Sequence, residues 1–384
     1  MRFLVRGCGQ MASLSRLAHR PYHELSFAST GPLAEVLEYG RADNDDETPP
    51  PNTVRVAMLH APLNPADALT ILGKYPPGKQ DRESRYFPGR NVAGSEGIGM
   101  VADVPEGCAE LTVGDVVTVA VPGLGTLRSS LWVEPHCVLR IPRGKELIDK
   151  AGPSAATLSQ LGSTAYRMLM DFVPLQPGSI VLQNAGNSGV GIMVSQLTKR
   201  MNVLCVSVVR RGNKDKDEWN SLVKFLQDTA KADLVLADED LSDPDQFGRC
   251  QEEVRQLSED PPLLALNTVG GESASNLLNL LGNGGTMVTY GGISGKPVTT
   301  TTADMVAKDL RLVGHWHSRW MSKYSIPDKS EMVNELVEAV LNDELQCPAS
   351  KVFDLADYLD ALAFDTNQSG QRSKLVFRCS TNNE

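Results

Sequence analysis

The sequence predicts an α/β protein with two domains, a small barrel-like β domain followed by a doubly wound parallel sheet. Short apolar runs separated by glycine and proline corners fill the first part of the chain, which is typical of a small β domain. After Gly178, apolar runs of strand length alternate with helical stretches, which is typical of a parallel sheet covered by helices. The length of 384 residues also suits about two domains.

Composition and charge exclude several classes of protein. The chain is 41% hydrophobic and 22% charged, and its net charge of −10 argues against binding to nucleic acid or to an anionic membrane. No apolar run approaches the length that spans a bilayer. The seven cysteines are scattered and odd in number, and no CxxC pair occurs. They favour free thiols in a reducing compartment over a disulfide framework.

The first 28 residues differ in kind from the rest. They include four arginines and several serines, and their first acidic residue is Glu24. This composition is typical of a mitochondrial transit peptide, and a disordered basic tail is the alternative. We therefore expect a targeting segment over residues 1–28 and a location in the mitochondrial matrix.

Turn signals separate the elements of the first domain. Asn64-Pro65-Ala66-Asp67 predicts the start of a short helix that ends near Gly73. Predicted β segments are Ala34–Tyr39, Val54–Leu59, the corner at Gly94–Gly97, Val116–Val121 and Leu131–Glu134.

Over Ser154–Met170 the apolar residues recur at helical spacing, and predicted strands and helices then alternate. Predicted strands are Ile180–Gln183, Val203–Val209, Leu234–Ala237, Leu263–Val269, Thr286–Tyr290 and Leu310–Gly314, with helices that include Glu218–Thr229 and Ser273–Leu281. A final helix over Glu331–Leu341 and a strand over Leu375–Arg378 predict that the first domain receives the C-terminal part of the chain.

The first strand of the sheet leads into a glycine-rich turn, SIVLQNAGNSGVG at residues 179–191. Backbone N–H groups at the helix start, together with the helix dipole, favour an anion there. Gly186 suits the tight turn and Gly191 suits close packing, while Ser188 replaces the middle glycine of G-x-G-x-x-G. The pattern predicts a dinucleotide site, and an ordinary strand–turn–helix is the alternative.

The second strand of the sheet ends in Arg210-Arg211-Gly212, where an NAD site usually carries an acidic residue. Arginine there favours the 2′-phosphate of NADP, and two solvated arginines are the alternative. Gly291-Gly292 marks a second place where backbone could approach the cofactor, although a plain turn explains it almost as well. The pattern therefore predicts NADPH as the cofactor.

Longer motifs carry a resemblance to a known family. They are Asn64-Pro65-Ala66-Asp67, Gly73-Lys74-Tyr75, Gly123-Leu124-Gly125-Thr126, TAYRMLMDF at 164–172, the turn at 183–191, Val208-Val209-Arg210 and GGTMVTYGG at 284–292. The chain resembles the zinc-less medium-chain dehydrogenase/reductase superfamily, and within it the mitochondrial trans-2-enoyl-CoA/ACP reductases, over about residues 31–378. The resemblance implies a GroES-like catalytic domain over 29–163 and 317–384 and a Rossmann NADPH-binding domain over 164–316.

The resemblance also implies an activity: the NADPH-dependent reduction of trans-2-enoyl thioesters of CoA or ACP in mitochondrial fatty-acid synthesis, by a homodimer. An NADPH quinone oxidoreductase of the same superfamily and a non-catalytic NADPH-binding protein are the alternatives. Saturating the double bond requires a hydride at Cβ and a proton at Cα. Tyr75 occupies the position of the catalytic tyrosine, and a phenol is protonated at neutral pH.

The predicted cofactor-binding residues combine the two arguments and are Asn187, Ser188, Gly189, Val190, Arg210, Arg211, Tyr290, Gly291, Gly292, Ile293, His315, Trp316, His317 and Lys374. Lys74 and Arg128 are hypothetical contacts for the phosphates of the CoA or ACP arm, with solvated surface charges as the alternative. Acyl carrier protein is the expected macromolecular partner.

Some positions depart from the family pattern. Leu161 replaces an asparagine, Arg211-Gly212 replaces an Asp-Arg pair, Pro76 replaces a glycine, and residues 81–86 lengthen the loop after the tyrosine. Zinc alcohol dehydrogenases of the superfamily carry Gly-His-Glu where this chain has Gly94-Ser95-Glu96, and a serine hydroxyl is a poor zinc ligand. We therefore expect no metal.

Overall fold

The computed structural model describes residues 21–43, 49–75, 83–364 and 373–380. Its strands are β1 (Tyr22–Phe27), β2 (Glu38–Ala42), β3 (Val54–Pro62), β4 (Asn91–Val92), β5 (Ile98–Asp103), β6 (Val116–Val119), β7 (Ser130–Val133), β8 (Val138–Arg140), β9 (Ile180–Asn184), β10 (Leu204–Val209), β11 (Leu234–Ala237), β12 (Leu264–Asn267), β13 (Thr286–Thr289), β14 (Arg311–Gly314), β15 (Ser350–Asp354) and β16 (Lys374–Arg378).

The α-helices are α1 (Leu33–Val36), α2 (Pro65–Ile71), α3 (Gly144–Ala151), α4 (Ser163–Met170), α5 (Gly189–Arg200), α6 (Lys216–Asp228), α7 (Asp238–Ser242), α8 (Pro244–Arg255), α9 (Gly271–Leu280), α10 (Thr302–Lys308), α11 (His317–Lys323), α12 (Ile326–Leu341) and α13 (Tyr358–Ala363). Short 3₁₀ turns cover Pro135–Cys137, Gly152–Thr157 and Leu355–Asp357, and a π-helical turn covers Leu158–Gly162.

A parallel sheet forms the core of the second half, with the strand order β11-β10-β9-β12-β13-β14. Its central strand β9 is buried over its whole length because helices cover both faces of the sheet. The strand order reverses between β9 and β12, and ligands bind beyond the carboxyl ends of the strands at such a point. The predicted doubly wound sheet is confirmed.

The β domain contains a seven-stranded sheet and a three-stranded sheet. The larger sheet has the order β15-β16-β3-β5-β6-β8, with β7 also paired to β3, and the smaller one has the order β2-β1-β4. Strand β16 pairs antiparallel with β3 through Phe377 and Ala61. The prediction that the first domain receives the C-terminal part of the chain is therefore confirmed.

Two predicted elements differ in the structure. The predicted strand Ala34–Tyr39 is wrong in its first half, where the N–H of Leu37 donates to the carbonyl of Leu33 and closes the turn α1; only from Glu38 does the chain pair as β2. The stretch Ser154–Met170 is helical as predicted. However, it passes through 3₁₀, π and α geometry in turn, because Pro153 and the small residues after it start a tight turn.

The predicted targeting segment, residues 1–28, overlaps strand β1 of the fold. Residues 1–20 lie outside the described residues, but Tyr22–Phe27 forms β1, in which every residue is buried. Strand β1 pairs with β2 and β4, so a cut after residue 28 would remove the middle strand of a sheet. The predicted domain boundaries at 163/164 and 316/317 stay a prediction and fall at the starts of α4 and α11.

Within the described ranges, no helix is both long and apolar enough to cross a bilayer.

Candidate active site

The glycine-rich turn links β9 to α5 as the pattern predicts, but its residues divide the work differently. The left-handed residue is Ala185, with φ of +51°, rather than Gly186. Gly186 is required for another reason: a Cβ there would lie 2.6 Å from the Cβ of Ser207 on β10. A Cβ on Gly191 would lie 2.7 Å from the carbonyl oxygen of Ala185, so Gly191 lets α5 pack against the turn, as predicted.

Ser188 is the N-cap of α5, and its Oγ accepts a hydrogen bond of 3.1 Å from the N–H of Gly191. Asn187, Gly189 and Val190 lie beside it and are half-buried. Because α5 has 12 residues and its remaining N-terminal N–H groups lack partners within the helix, the turn presents an anion site.

Two polar residues at the end of β9 brace this turn, and sequence reasoning missed both. The amide nitrogen of Gln183 lies 2.9 Å from the Gly191 carbonyl and 2.9 Å from Ser207 Oγ, which ties β9 to α5 and β10. The amide nitrogen of Asn184 donates to Asn267 Oδ1 at 2.8 Å, across the switch point to β12. The signal was available in the sequence as two amides ending an otherwise apolar strand.

The loop after β13 lies against the glycine-rich turn at residues 185–188, called the phosphate turn below after the anion that its helix start favours. The hydroxyl of Tyr290 is buried next to Ser188 and Thr268, but among the described residues it makes no hydrogen bond of good geometry. Burial raises the pKa of Tyr290 well above its ordinary value, so the group is a neutral donor. Gly291 is in such close contact with Thr268 that a Cβ would clash there.

Beyond Gly291 the same loop opens toward solvent. A Cβ on Gly292 would meet no atom within 4 Å, and 62% of the surface of Ile293 is exposed. A cradle that excludes side chains, an orphaned buried hydroxyl and a helix N-terminus all fit a bound dinucleotide.

The two arginines after β10 have different surroundings. The guanidinium of Arg211 donates to Asp240 at 2.8 Å and stacks over Trp219 at 5.0 Å from the ring centre. Its backbone N–H donates to the carboxylate of Glu239 at 2.9 Å. Arg210 is exposed and lines a pocket of about 340 Å³. The guanidinium of Arg211 is therefore engaged within the protein, whereas Arg210 faces a pocket; the contact of either arginine with a 2′-phosphate stays a prediction.

Acidic residues surround Arg210 in this pocket. The other lining residues are Asp238, Glu239, Ser242, Asp243, Glu272 and Ser273. Because carboxylates repel a phosphate, the positive charge of Arg210 has to offset its own neighbours if the pocket is to accept one.

Tyr75 of the β domain meets Trp316, which follows β14. The indole N–H of Trp316 donates a hydrogen bond to the Tyr75 hydroxyl, and the rings meet edge to face with centroids 5.9 Å apart. The N–H of His315 donates to the carbonyl of Thr289 at the end of β13, which fixes Trp316 beyond the carboxyl ends of the strands. The structure thus brings the predicted acid to the ligand-binding edge of the sheet.

The predicted cofactor residues His315 and His317 belong to an aromatic cluster on either side of Trp316. His315 packs edge to face on Phe172, and His317 stacks parallel to Trp320 with centroids 6.2 Å apart. Burial lowers the pKa of His317 to about 3, so the ring is neutral at physiological pH. Within the described residues no group of His, Cys, Asp or Glu could hold a metal ion.

Lys374 lies beside the phosphate turn. A Cβ built on Gly189 would lie 3.6 Å from Lys374 Cδ and 3.0 Å from Leu161 Cδ1, so the family's missing asparagine is replaced by an apolar contact there. The ammonium of Lys374 donates to Asn64 Oδ1 at 2.9 Å, and Asn64 in turn donates to Glu96. Burial lowers the pKa of Lys374 and raises the pKa of Glu96 to about 7.

The two predicted substrate contacts differ in exposure. Lys74 is exposed and adjoins Tyr75. Arg128 is buried in the β domain, and its guanidinium donates to the carbonyls of Gly125 at 2.6 Å and Leu124 at 3.0 Å. It holds a turn of that domain and also lines a pocket of about 480 Å³ there, together with Glu83, Arg85 and Trp132. Pro76 and residues 81–82 of the lengthened loop lie outside the described residues.

Comparisons with known proteins agree with this geometry. No protein-family model matches the chain. The mitochondrial enoyl-[acyl-carrier-protein] reductase of Xenopus tropicalis is 36% identical over 358 residues, covering 90% of this chain and 94% of the relative. The human protein of the same name is 37% identical over 312 residues, covering 80% of this chain and 76% of the relative.

Solved structures give the same result. The complex of Etr1p with NADP and crotonyl-CoA matches with a TM-score of 0.81 and 27% identity, over 93% of this chain and 99% of that one. The mitochondrial 2-enoyl thioester reductase Etr1p/Etr2p heterodimer from Candida tropicalis matches with the same scores and coverage. A putative NADPH:quinone reductase from Bacillus thuringiensis, at 22% identity and a TM-score of 0.74, shares the fold.

Proposed function

The chain belongs to the family of mitochondrial enoyl-[acyl-carrier-protein] reductases, and on this premise we propose how its residues carry out the reaction. The protein is an NADPH-dependent oxidoreductase that acts on a CH–CH bond and reduces 2-enoyl thioesters to saturated acyl thioesters. It acts in the mitochondrion, in fatty-acid synthesis. We further propose that its targeting segment ends before Tyr22, since β1 is part of the fold.

One observation carries the proposal: the hydroxyl of Tyr75 lies at the carboxyl edge of the parallel sheet, bonded to Trp316. When bound, NADPH supplies the hydride for Cβ of the enoyl group. Tyr75 donates a hydrogen bond to the thioester oxygen, where negative charge develops as the enolate forms, and it delivers the proton required at Cα. The Tyr75 hydroxyl accepts from Trp316, so its own proton points elsewhere and can serve the substrate.

The proposed cofactor contacts follow the same edge of the sheet. Ser188 and the start of α5 hold the diphosphate, and the orphaned hydroxyl of Tyr290 donates to the cofactor beside it. Arg210 pairs with the 2′-phosphate, and Lys374 supplies a further positive charge next to Gly189. Trp316 borders the site, whereas His315 and His317 support it from within the aromatic cluster.

For the substrate arm, we propose the thioester of CoA or of acyl carrier protein. Lys74 is exposed next to the catalytic tyrosine, where an ammonium can meet a phosphate of the arm. Substitution by alanine is expected to raise KM for the CoA ester and to leave Kd for NADPH unchanged. Arg128 carries no such proposal, since it is a buried part of the β domain.

We also propose that two copies of the chain associate through the edge of the parallel sheet. Strand β14 ends that sheet, and its Leu312 is 39% exposed. Val306 on the neighbouring helix α10 is 79% exposed. Exposed apolar side chains beside an unpaired strand edge favour pairing with a second copy.

The experiment that tests the function follows NADPH oxidation by the purified protein with three acceptors side by side. They are crotonyl-CoA, a long-chain 2-enoyl-CoA and a quinone. Turnover of the enoyl thioesters with little quinone reduction is expected. Quinone reduction alone would make the protein a quinone oxidoreductase, and NADPH binding without any turnover would make it a non-catalytic binding protein.

A further inference from the structure

A buried polar cluster joins the β domain to the nucleotide-binding part of the chain. It consists of Asn64 at the start of α2, Glu96 between β4 and β5, Ser159 and Gln160 in the π-helical turn, and Lys374 at the start of β16. Glu96 is fully buried and Asn64 is 3% exposed. Polar groups at such depth are retained only with specific partners, so the direction of each hydrogen bond can be assigned.

The carboxylate of Glu96 determines the orientation of the Asn64 amide. The Asn64 amide nitrogen donates to Glu96 Oε2 at 2.7 Å and to Gln160 Oε1 at 2.6 Å. A carboxylate only accepts, so the nitrogen side of Asn64 has to face Glu96. The oxygen side then faces Lys374, whose ammonium donates to it at 2.9 Å.

The other oxygen of Glu96 is also committed. Oε1 accepts from the N–H of Gln160 and from Ser159 Oγ, the latter at 3.2 Å. If a glutamine replaced Glu96, its amide nitrogen would face either the Asn64 amide nitrogen or the backbone N–H of Gln160. Turning Asn64 over would relieve the first conflict but would point its nitrogen at the ammonium of Lys374. Every arrangement sets two donors against each other, so only the carboxylate holds the chain of bonds together.

This chain of hydrogen bonds ends beside the phosphate turn. Lys374 Cδ lies 3.6 Å from a Cβ built on Gly189, the first residue of α5. Among the described residues its ammonium donates to Asn64 alone, so two of its three N–H donors remain for another acceptor. Nearby, the helix start and Ser188 favour a phosphate.

We propose that Glu96 and Asn64 are positioning residues for NADPH: Glu96 orients Asn64, and Asn64 holds the Lys374 ammonium beside the phosphate turn. The inference rests on the proposed function, since it takes NADPH as the ligand of that turn. It adds two residues to the site that act through Lys374 and touch no cofactor themselves.

The sign of one substitution separates positioning from plain electrostatics. Glu96→Gln removes a buried negative charge near an anionic cofactor, and Coulomb's law alone would then tighten binding. The positioning role requires the opposite result, since the variant releases Lys374. We expect Kd for NADPH to rise about tenfold, the effect of losing one charge-assisted hydrogen bond, with kcat at saturating NADPH unchanged.

The measurement is a fluorescence titration of the full-length protein with NADPH, without substrate, at about pH 8.5, where Glu96 is ionised. Glu24→Gln is the matched control, because Glu24 is also fully buried and accepts from Tyr22 and Ser84 in the β domain. That control is expected to keep the wild-type Kd. An unchanged or lower Kd in Glu96→Gln would overturn the proposal.

A double-mutant cycle tests whether Glu96 acts through Lys374. In a Lys374→Met background, Glu96→Gln is expected to cause no further loss of NADPH affinity; independent, additive losses would contradict positioning. Asn64→Ser keeps a helix-capping side chain but cannot span from Glu96 to Lys374, so it supplies the same readout should Glu96→Gln fold poorly. If only the positioning role is wrong, the variants keep the wild-type Kd and the wild-type protein still reduces enoyl thioesters. If the proposed function is wrong, the wild-type protein itself shows no turnover of enoyl thioesters.

Discussion

The hydroxyl of Tyr75 accepts a hydrogen bond from the indole N–H of Trp316, 241 residues further along the chain. Tyr75 belongs to the β domain, and Trp316 extends from the edge of the parallel sheet. The bond therefore orients the phenol across the junction of the two parts. It also stabilises negative charge on the phenol oxygen as the proton leaves, which is the state that a general acid passes through.

Tyr75→Phe is expected to keep NADPH binding and to lose about 10²–10⁴-fold in kcat, because the ring stays while the acid is removed. Titration with NADPH checks the first part, and single-turnover reduction of crotonyl-CoA checks the second. An unchanged kcat would exclude Tyr75 from proton transfer.

Trp316→Phe removes the N–H donor and keeps an aromatic ring. We expect kcat to fall by about five- to tenfold, the value of one neutral hydrogen bond. Trp132→Phe, on strand β7 away from the site, is the matched control. Equal kcat values for the wild type and Trp316→Phe would show that the bond to Tyr75 has no catalytic role.

Arg210→Ala and Arg211→Ala are expected to differ in cofactor selectivity. Arg210→Ala loses about 10- to 100-fold in NADPH affinity and leaves NADH affinity unchanged, since it removes the charge-assisted contact to the 2′-phosphate. Arg211→Ala keeps the preference for NADPH, since its guanidinium is engaged by Asp240 and Trp219. Parallel titrations with NADPH and NADH measure both. A loss of selectivity in Arg211→Ala alone would reverse the assignment.

Glu96 is expected to make folding stability depend on pH near neutrality. Burial raises its pKa from 4.5 to about 7, so the folded state binds this proton more tightly than the unfolded state does. The free energy of unfolding that this proton adds is fully present below pH 4.5 and is lost as the pH rises through about 7. The loss is at most about 3 kcal/mol. Urea unfolding between pH 5 and 8 measures it. The slope with pH is expected to be shallower in Glu96→Gln, and an identical slope would assign the titration to another group.

Neighbouring substitutions in the phosphate turn are expected to have opposite effects on stability. Ala185→Gly relieves a left-handed backbone and raises the free energy of unfolding by about 0.5–1 kcal/mol. Gly186→Ala forces a methyl group against Ser207 and lowers the free energy of unfolding by about 1–3 kcal/mol. Thermal unfolding checks both. Stabilisation by Gly186→Ala would contradict the close approach of the turn to β10.

The sequence predicts the parallel sheet well because its strands are short apolar runs with polar breaks. The segment Leu234–Ala237 matches β11 at both ends, and the alternation with helices predicts the parallel pairing that the sheet has. Ala34–Tyr39 was predicted wrongly because β propensity in six residues cannot show that a hydrogen-bonded turn at Leu33 closes first.

The candidate site was predictable only where a local pattern marks it. Strand, glycine turn and helix predict the anion site, and Arg210 follows from its place after β10. The bond between Tyr75 and Trp316 and the bond between Asn64 and Lys374 join segments that no local pattern relates, since they depend on how the domains pack. Arg211 shows the converse: a guanidinium at the expected position is held by an acidic partner that lies 29 residues away.

Strand β16 follows every strand of the parallel sheet along the chain, yet it pairs with β3 of the β domain and carries Lys374 at its start. A polypeptide that enters an organelle N-terminus first can close its parallel sheet while β3 still lacks this neighbour. On the proposed role of Lys374, the nucleotide site is therefore complete only when β16 has paired with β3. A chain truncated before β16 is expected to bind NADPH more weakly than the whole chain does.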